Sequence, residues 1–597
     1  DEVVEWPVVI EESGDNVIKM EKAADPNSVN LVFQGMGGDA SQSFAIPGTA
    51  IKAGEYSVIN VKINSIKEST GEVIDIRGLG TKPKPGSLYN VNIVNDITSP
   101  ADTALRFIDG FQSANNSRAN IKIWKNVKIN GSPINNNGSL QFKSKRGASN
   151  QADLLLERGS VVHSTDGPAL KLSNTDNFSS VDLSLTLDPN SVLSGSGDNA
   201  IEMTNGVPHQ LSVRLNGNAK LIGDIQYGVL SNPEEGIVQL NNEGVFDSSI
   251  KGPSSLNYAN VRLIKSGSGL WRLNKPNYYK GTTSVDSGNL KLGHIDAIPS
   301  GSKTIINNGG TLTLSYRGPK IDQITLNAGD LSGAPAEIFR QSARIRHGAL
   351  TGFITSKGGV LENVYGEDAT LDVVSGRTLI EGMEGYGSDT DVSLGTVNVT
   401  GGQLWAQDEI KLSASTQISN LTLDTPTNKN PNLSGSGGLP SEAQDGLVLG
   451  LGPNKRSALK VTEKFQYHSG NIYLYAPNSI DPSDYAGDWK ILDFETDDLS
   501  DEQYSEMFSN TYMMIEDAEG NIGYYKFNPD GSIDPLNGES QLLRPVALNK
   551  GSLVLAVGAL DFDDNQPGGN DNAGGSDDSS GDTIEEEIED EIIDEII

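Results

Sequence analysis

The amino-acid sequence predicts an all-β protein, a right-handed parallel β-helix (solenoid) with a hairpin-capped C-terminal end. Three observations lead there. Hydrophobic residues make up only 36% of 597, Gly accounts for 67, and Ser, Asn, Thr and Asp are abundant, which suits many short strands joined by tight turns. Short segments that alternate apolar and polar residues follow glycines all along the middle of the chain. Those glycines recur at a loose period typical of stacked repeats.

The alternation is sharpest in "GLWRLNKPNYYKGTTSVDSGNLKLG", residues 269 to 293. With Gly288 as an anchor, similar units begin at Gly217, Gly244, Gly269, Gly310, Gly329, Gly348, Gly376 and Gly402, with gaps of 19 to 28 residues. Two positions on stand Ala219, Phe246, Trp271, Leu290, Leu312, Leu331, Leu350, Thr378 and Leu404, most of them large and apolar. The residue after that, such as Lys291 or Thr313, is usually polar. Period two marks a strand with one buried face. The anchor glycine is expected to take a backbone angle that other residues adopt at a cost, turning the chain into the strand. Coils stacked at about 4.8 Å align the apolar residues into ladders, and about 16 to 24 coils make a rod of about 80 to 115 Å.

The same stretch resembles the passenger-associated repeat of bacterial autotransporters (type V secretion). The matching residues are Gly269, Trp271 and Leu273, then Asn277, Tyr279, Gly281, Thr282, Thr283 and Val285, then Gly288, Leu290, Leu292 and Gly293. Degenerate pieces, "INNGGTLTL" and "VNVTGGQLWA", extend the likeness from about 260 to 406. The resemblance implies a passenger domain, displayed on the Gram-negative outer membrane or secreted, and carried by its own C-terminal β-barrel translocator. That barrel is not expected in this chain, because nothing after residue 560 offers repeated alternating strands of about ten residues.

Four regions follow from this reading: a β-helix passenger over 1–448 with an N-terminal cap over about 1–30, a C-terminal capping part over 449–560, a disordered acidic linker over 561–582, and over 583–597 either the linker helix that the resemblance implies or a charged end that is helical only when a partner covers its isoleucines. Residues 449–560 carry denser aromatics and the turns "DAEGN" and "NPDG", which suit hairpins that close an open edge. The corresponding autotransporter segment helps the passenger fold outside the cell, so an autochaperone-like part is implied here. "VVEWPVVI" at 3 to 10 is expected to cap the other end. The linker lacks apolar anchors, and Ile584, Ile588, Ile592 and Ile596 then form one helical stripe.

Charge and composition exclude several functions. The formal net charge is −34, of which residues 561 to 597 supply fifteen acidic side chains and no Lys or Arg. Nucleic acid is a poor partner for such a chain, and "KSKRG" at 143 to 147 is too small a basic cluster to change that. With no cysteine, disulfides, thiol nucleophiles and cysteine-ligated metals are ruled out. The longest apolar runs, such as "SLVLAVGAL" at 552 to 560, fall far short of a membrane-spanning helix.

No catalytic or metal-binding residues are assigned, and no cofactor is expected. The five histidines, His163, His209, His294, His347 and His468, are scattered without metal-ligand spacing. The Gly-Asp-Ser-Gly and Gly-Asp-Ser strings of protease and esterase passengers are missing, as is a Gly-x-Ser-x-Gly elbow. "NPDGSID" at 528 to 534 reads as a hairpin turn before it reads as a calcium site. A sugar-cleaving β-helix needs carboxylates from neighbouring coils on one face. Two positions before the anchors only Asp286 is acidic, and the loop "GMEGYGSDTDVS" at 382 to 393 is the place to look for more.

The expected function is therefore adhesion, through a host-cell receptor, a glycan or a sister passenger on another cell. A long rigid rod displays many side chains for multivalent weak contacts. A polysaccharide-degrading enzyme and a structural stalk are the alternatives.

Overall fold

The computed structural model describes residues 88–516 apart from 100–102, 109–117, 132–137, 145–148, 175–179, 205–208, 231–234, 254–257, 315–319, 330–334, 382–392, 407–415, 427–444, 451–458, 477–486 and 495–498. It also describes the strands Val8–Ser13, Asn16–Lys22, Ser28–Gln34, Val58–Ile63, Ile74–Arg77, Ile522–Lys526, Leu543–Asn549 and Ser552–Val557. Residues 561–597, and the segments "DAEGN" and 528–534, lie outside the described residues, as do 382–392 of the candidate loop.

Parallel pairing runs almost the whole length of the chain. One ladder starts at Ser28–Gln34 and passes through Val58–Ile63, Leu88–Ile93, Arg118–Ile123, Ser149–Leu156, Ser180–Leu187, Gln210–Leu215 and Gly236–Asn241. It continues from Val261–Ser266 to Leu459–Ser469. Each strand hydrogen-bonds to the equivalent strand of the next coil, which makes the fold a parallel β-helix. A second ladder is built from the strands that follow those of the first after a tight turn, for example Leu270–Leu273, Gly288–Leu292 and Gly310–Thr313. A third face runs from Ile74–Arg77 to Ile250–Lys251. A comparable run recurs later, where Ala349 pairs with Tyr365, Tyr365 with Ser393, Ser393 with Gln417, Gln417 with Lys460 and Lys460 with Asp493.

The alternation explains the core. In Ser180–Leu187 every second residue is buried, and Val181, Leu183, Leu185 and Leu187 point inward. Trp271, Leu273, Leu290, Leu292 and Tyr279 of the sharpest unit are all buried. Trp271 stacks on Leu290, Leu290 on Leu312, and Leu273 on Leu292. Between coils, outward amides add ladders of their own: Asn307 donates to Asp286 (2.7 Å), and Asn327 donates to Asn307 (3.0 Å).

Register departs from the simple glycine alignment in three places, one of them at Gly348, which lies inside the strand Arg344–Ala349 and pairs with Val364, while the next strand of that ladder starts at Gly359. Gly244 pairs with Trp271 and Phe246 with Leu273, a slip of two residues. A two-residue slip keeps every side chain on its own face, so the apolar pattern survives it. Further on, Leu312 pairs with Ile345, because the chain between them makes a detour through helix α1 (Pro335–Gln341). The turn glycine also shifts. Gly288 has φ +69°, but in the preceding coil the positive angle belongs to Gly267 (φ +74°), and Gly269 lacks one.

That corner holds a buried lysine. Lys265 occupies an inward position, and its ammonium donates to the carbonyls of Ser266 (2.8 Å), Gly267 (2.8 Å) and Ser287 (3.1 Å). Burial pushes its pKa down to about 8. A side chain at Gly288 would collide with this ammonium and with the Gly267 carbonyl.

Antiparallel strands close both ends of the parallel ladders. Val8–Ser13 and Asn16–Lys22 form a hairpin that passes to Ser28–Gln34. At the other end Thr511–Glu516 pairs antiparallel with Ile522–Lys526, and Gly487–Phe494 with Ser552–Val557. The parallel ladders run through residue 448 without a break, since Trp405 pairs with Val448 and Val448 with Tyr473. Helix α2 (Asp501–Ser509) starts at a capping box between Ser500 and Gln503 and sets Tyr504 and Met507 against the core. Among the described residues no helix is long and apolar enough to cross a membrane.

Candidate functional site

The first ladder carries a groove on its outer face. Alternation in the strands Ser149–Leu156, Ser180–Leu187, Gln210–Leu215 and Gly236–Asn241 turns their polar positions outward. Register then lines those positions up into two rows across four coils. Gln151, Asp182, Gln210 and Ile237 form one row. Asp153, Ser184, Ser212 and Gln239 form the other. All eight line a single groove, whose floor is the sheet itself. The polar surface continues beyond both ends. Asn120, paired with Asp153, donates to Asn90 (3.1 Å), and Gln239 donates to the hydroxyl of Ser266 (2.7 Å).

Burial shapes the electrostatics of this groove. It pushes the Asp182 carboxyl above the usual carboxylate range. Asp153 stands on the adjacent coil, so two carboxylates from neighbouring strands share one concavity.

The core beneath the groove is apolar, with Leu183, Leu211 and Val238 buried there, apart from one polar pair, His209 and Tyr227. His209, preceding Gln210, is fully buried and accepts the Val181 N–H at Nδ1 (3.0 Å), so the neutral ring carries its proton on Nε2. That nitrogen has no hydrogen-bond partner among the described residues. The Tyr227 hydroxyl donates to the His209 carbonyl, and the phenol fills the space over Gly236, where a methyl group would run into it. Burial lowers the His209 pKa to about 4. In the unfolded chain the ring takes its proton near pH 6.5, so the stability tied to the neutral ring is intact above that value and is lost as the pH falls towards 4. His209→Asn keeps an acceptor for Val181 and removes the titration. The drop in unfolding free energy between pH 7 and pH 4.5 is expected to be smaller in this variant by about 2 kcal/mol, measured by denaturant titration at both values.

A second polar cluster lies on the outer face of the second ladder. Arg344 bonds Glu362, Glu381 (3.2 Å) and the Phe339 carbonyl (2.9 Å), and Arg346 reaches Glu362 at 3.1 Å. Glu362 and Glu381 are paired residues of adjacent strands, so their carboxylates do converge. Arginine occupies both, and through Phe339 the network fastens α1 to the sheet. The cluster is structural.

The histidines are spread over separate places. Nδ1 of His163 lies 2.8 Å from the Ser194 hydroxyl, His294 lies 3.9 Å from Asp296, and His347 Nε2 lies 3.6 Å from Glu362. Among the described residues no group of three or more His, Asp or Glu side chains could hold a metal ion. The repeat residues serve the scaffold: Trp271, Leu273, Tyr279, Leu290 and Leu292 lie in the core, while Gly269, Gly281 and Gly288 stand where a Cβ would meet the backbone of a neighbouring coil. None of them lines the groove, which sits upstream of the repeat.

The groove residues carry no motif of their own. The alternation in "SVDLSLTL" was a usable signal for which residues face outward, but the partners of Asp182 are set by coil lengths that vary from 27 to 31 residues along this row. Comparison with protein-family models, with curated proteins and with solved structures finds no match to this chain.

Proposed function

We propose that the protein is an autotransporter passenger, displayed on or released from the outer membrane, and that it acts as an adhesin in host-cell attachment or autoaggregation. The observation that carries this reading is the solenoid's division of labour. Inward positions fill one continuous core, and outward positions of successive coils bring polar side chains into register as extended surfaces. Such surfaces suit repeated weak contacts whose strengths multiply. The repeat-like unit at 269 to 293 supplies the likeness to passengers.

A polysaccharide-degrading enzyme is the second reading, favoured by Asp153 and Asp182 on adjacent coils of one groove. Glycoside cleavage uses two carboxyl groups with separate roles.

Display of the passenger on non-adherent bacteria tests the first reading. Autoaggregation or attachment to host cells is expected to rise at least about tenfold over an empty carrier, well within the roughly 10²–10⁴-fold by which multivalency amplifies weak sites. No gain in either assay counts against adhesion, and release of reducing ends from a polysaccharide panel would then establish the enzyme.

A further inference from the structure

We propose that the groove on the first ladder binds an extended, uncharged oligosaccharide lying along the solenoid axis, and is the contact site through which the adhesin recognises its ligand. The inference rests on the adhesin reading and adds a ligand class to it.

The lining selects the chemistry. Amides and hydroxyls, such as those of Gln210, Ser212 and Gln239, both donate and accept hydrogen bonds, as sugar hydroxyls do. Asp153 and Asp182 accept from further hydroxyls, and Ile237 offers an apolar patch to the C–H face of a pyranose ring. The rows run from coil to coil, so a chain along the axis meets a polar position every 4.7–4.9 Å or so, close to the length of one sugar unit. A repeating ligand fits this better than a compact one.

Other ligand classes fit less well. Among the described residues that line the groove none is Lys, Arg or His and two are carboxylates, although Arg262 stands next to Ile237 one coil further on, so the groove itself disfavours sulfated, phosphorylated or nucleic-acid ligands. An extended peptide has no edge to join, because the backbone groups of these strands are bonded to the coils on either side. Too few apolar side chains line the groove to hold an amphipathic helix.

The test uses the whole passenger and a panel of immobilised hexasaccharides of N-acetylglucosamine, of β-1,4-linked glucose and of mannose, with heparin as the polyanion. Saturable binding of at least one neutral hexamer is expected, with none to heparin. Gln210→Ala is expected to weaken that binding at least about tenfold, the loss of one to two hydrogen bonds, with an unchanged unfolding midpoint. Ser212→Tyr, an outward substitution by a good strand former, is expected to block the groove altogether. Binding that survives both variants, or a preference for heparin, overturns the proposal. So does failure of every neutral hexamer while the displayed passenger still adheres, a result that leaves the adhesin reading intact. Neutral-hexamer binding that depends on Gln210, in a passenger that adheres to nothing, upholds the groove and overturns the adhesin. If Ser212→Tyr lowers the unfolding midpoint, Gln210→Ala decides the matter alone.

Discussion

Leu290→Asp is expected to open the middle of the β-helix. Leu290 is 0% exposed and stacked between Trp271 and Leu312. Removing a buried leucine costs about 2–5 kcal/mol, and a carboxyl group left there without partners adds a further penalty of similar size. The sum is of the order of the net stability of an ordinary domain, about 5–15 kcal/mol. Each coil of a solenoid contacts only its neighbours, so the damage should stay local. Amide hydrogen exchange is expected to accelerate by about a thousandfold or more in the strands Leu270–Leu273, Gly288–Leu292 and Gly310–Thr313, and far less at Ser180–Leu187. Exchange within tenfold of the parent protein in those three strands would sink the coil assignment.

This result would also test what the sequence made legible. The inward positions of the middle coils could be read from alternation alone, because period two survives any even slip in register. The Gly244 coil shows this: its alignment is off by two, yet Phe246 is still buried. Polar residues in the core resist the same reasoning. Lys265 follows Val261 and Leu263 on the inward phase of its strand, unlike Lys291 between Leu290 and Leu292, but nothing local shows the three carbonyls that surround its ammonium. The carbonyls come from two different turns, so the site exists only once the coils are stacked.

The groove was hidden for a related reason. A search for acidic residues at one offset from the glycine anchors samples the region of the second ladder, starting at residue 215. Asp153 and Asp182 lie earlier, on the first ladder, and they become neighbours only through a coil of 31 residues. Local pattern reports the face a side chain occupies, whereas its neighbours depend on loop lengths.

A larger feature is also written into the sequence. From about residue 359 the second ladder is buried on both sides. Its outward row runs Val360, Leu379, Trp405, Val448, Tyr473 and Tyr512, and with Ile338 and Phe339 of α1 it builds a second hydrophobic cluster outside the solenoid. Continuous apolar runs such as "GLVLG" at 446–450 and "NIYLYA" at 471–476, where alternation breaks down, are the mark of a strand covered on two faces. The aromatic density there points to this outer core as much as to hairpins at the end.

Trp405→Ala is the substitution that separates the two cores. The indole is 1% exposed, meets Phe339 edge-on at 5.4 Å and Tyr475 at 5.1 Å, and donates to Gln403 at 3.0 Å. Its removal is expected to cost about 3–5 kcal/mol, the usual loss for a buried tryptophan. Because Trp405 points away from the solenoid interior, that cost should fall on what covers it. Helix α1, seven residues long and held by Phe339 and the Arg344 network, has little helical stability of its own. Its amides are expected to lose protection and the nearby chain to become sensitive to protease, while Ile345, Leu361 and Ile380 remain stacked in the inner ladder. A uniform loss of protection along both ladders would mean instead that the two clusters act as a single core. Protection lost at α1 alone would show that the solenoid carries an outer layer that can be removed without unwinding the coils beneath it.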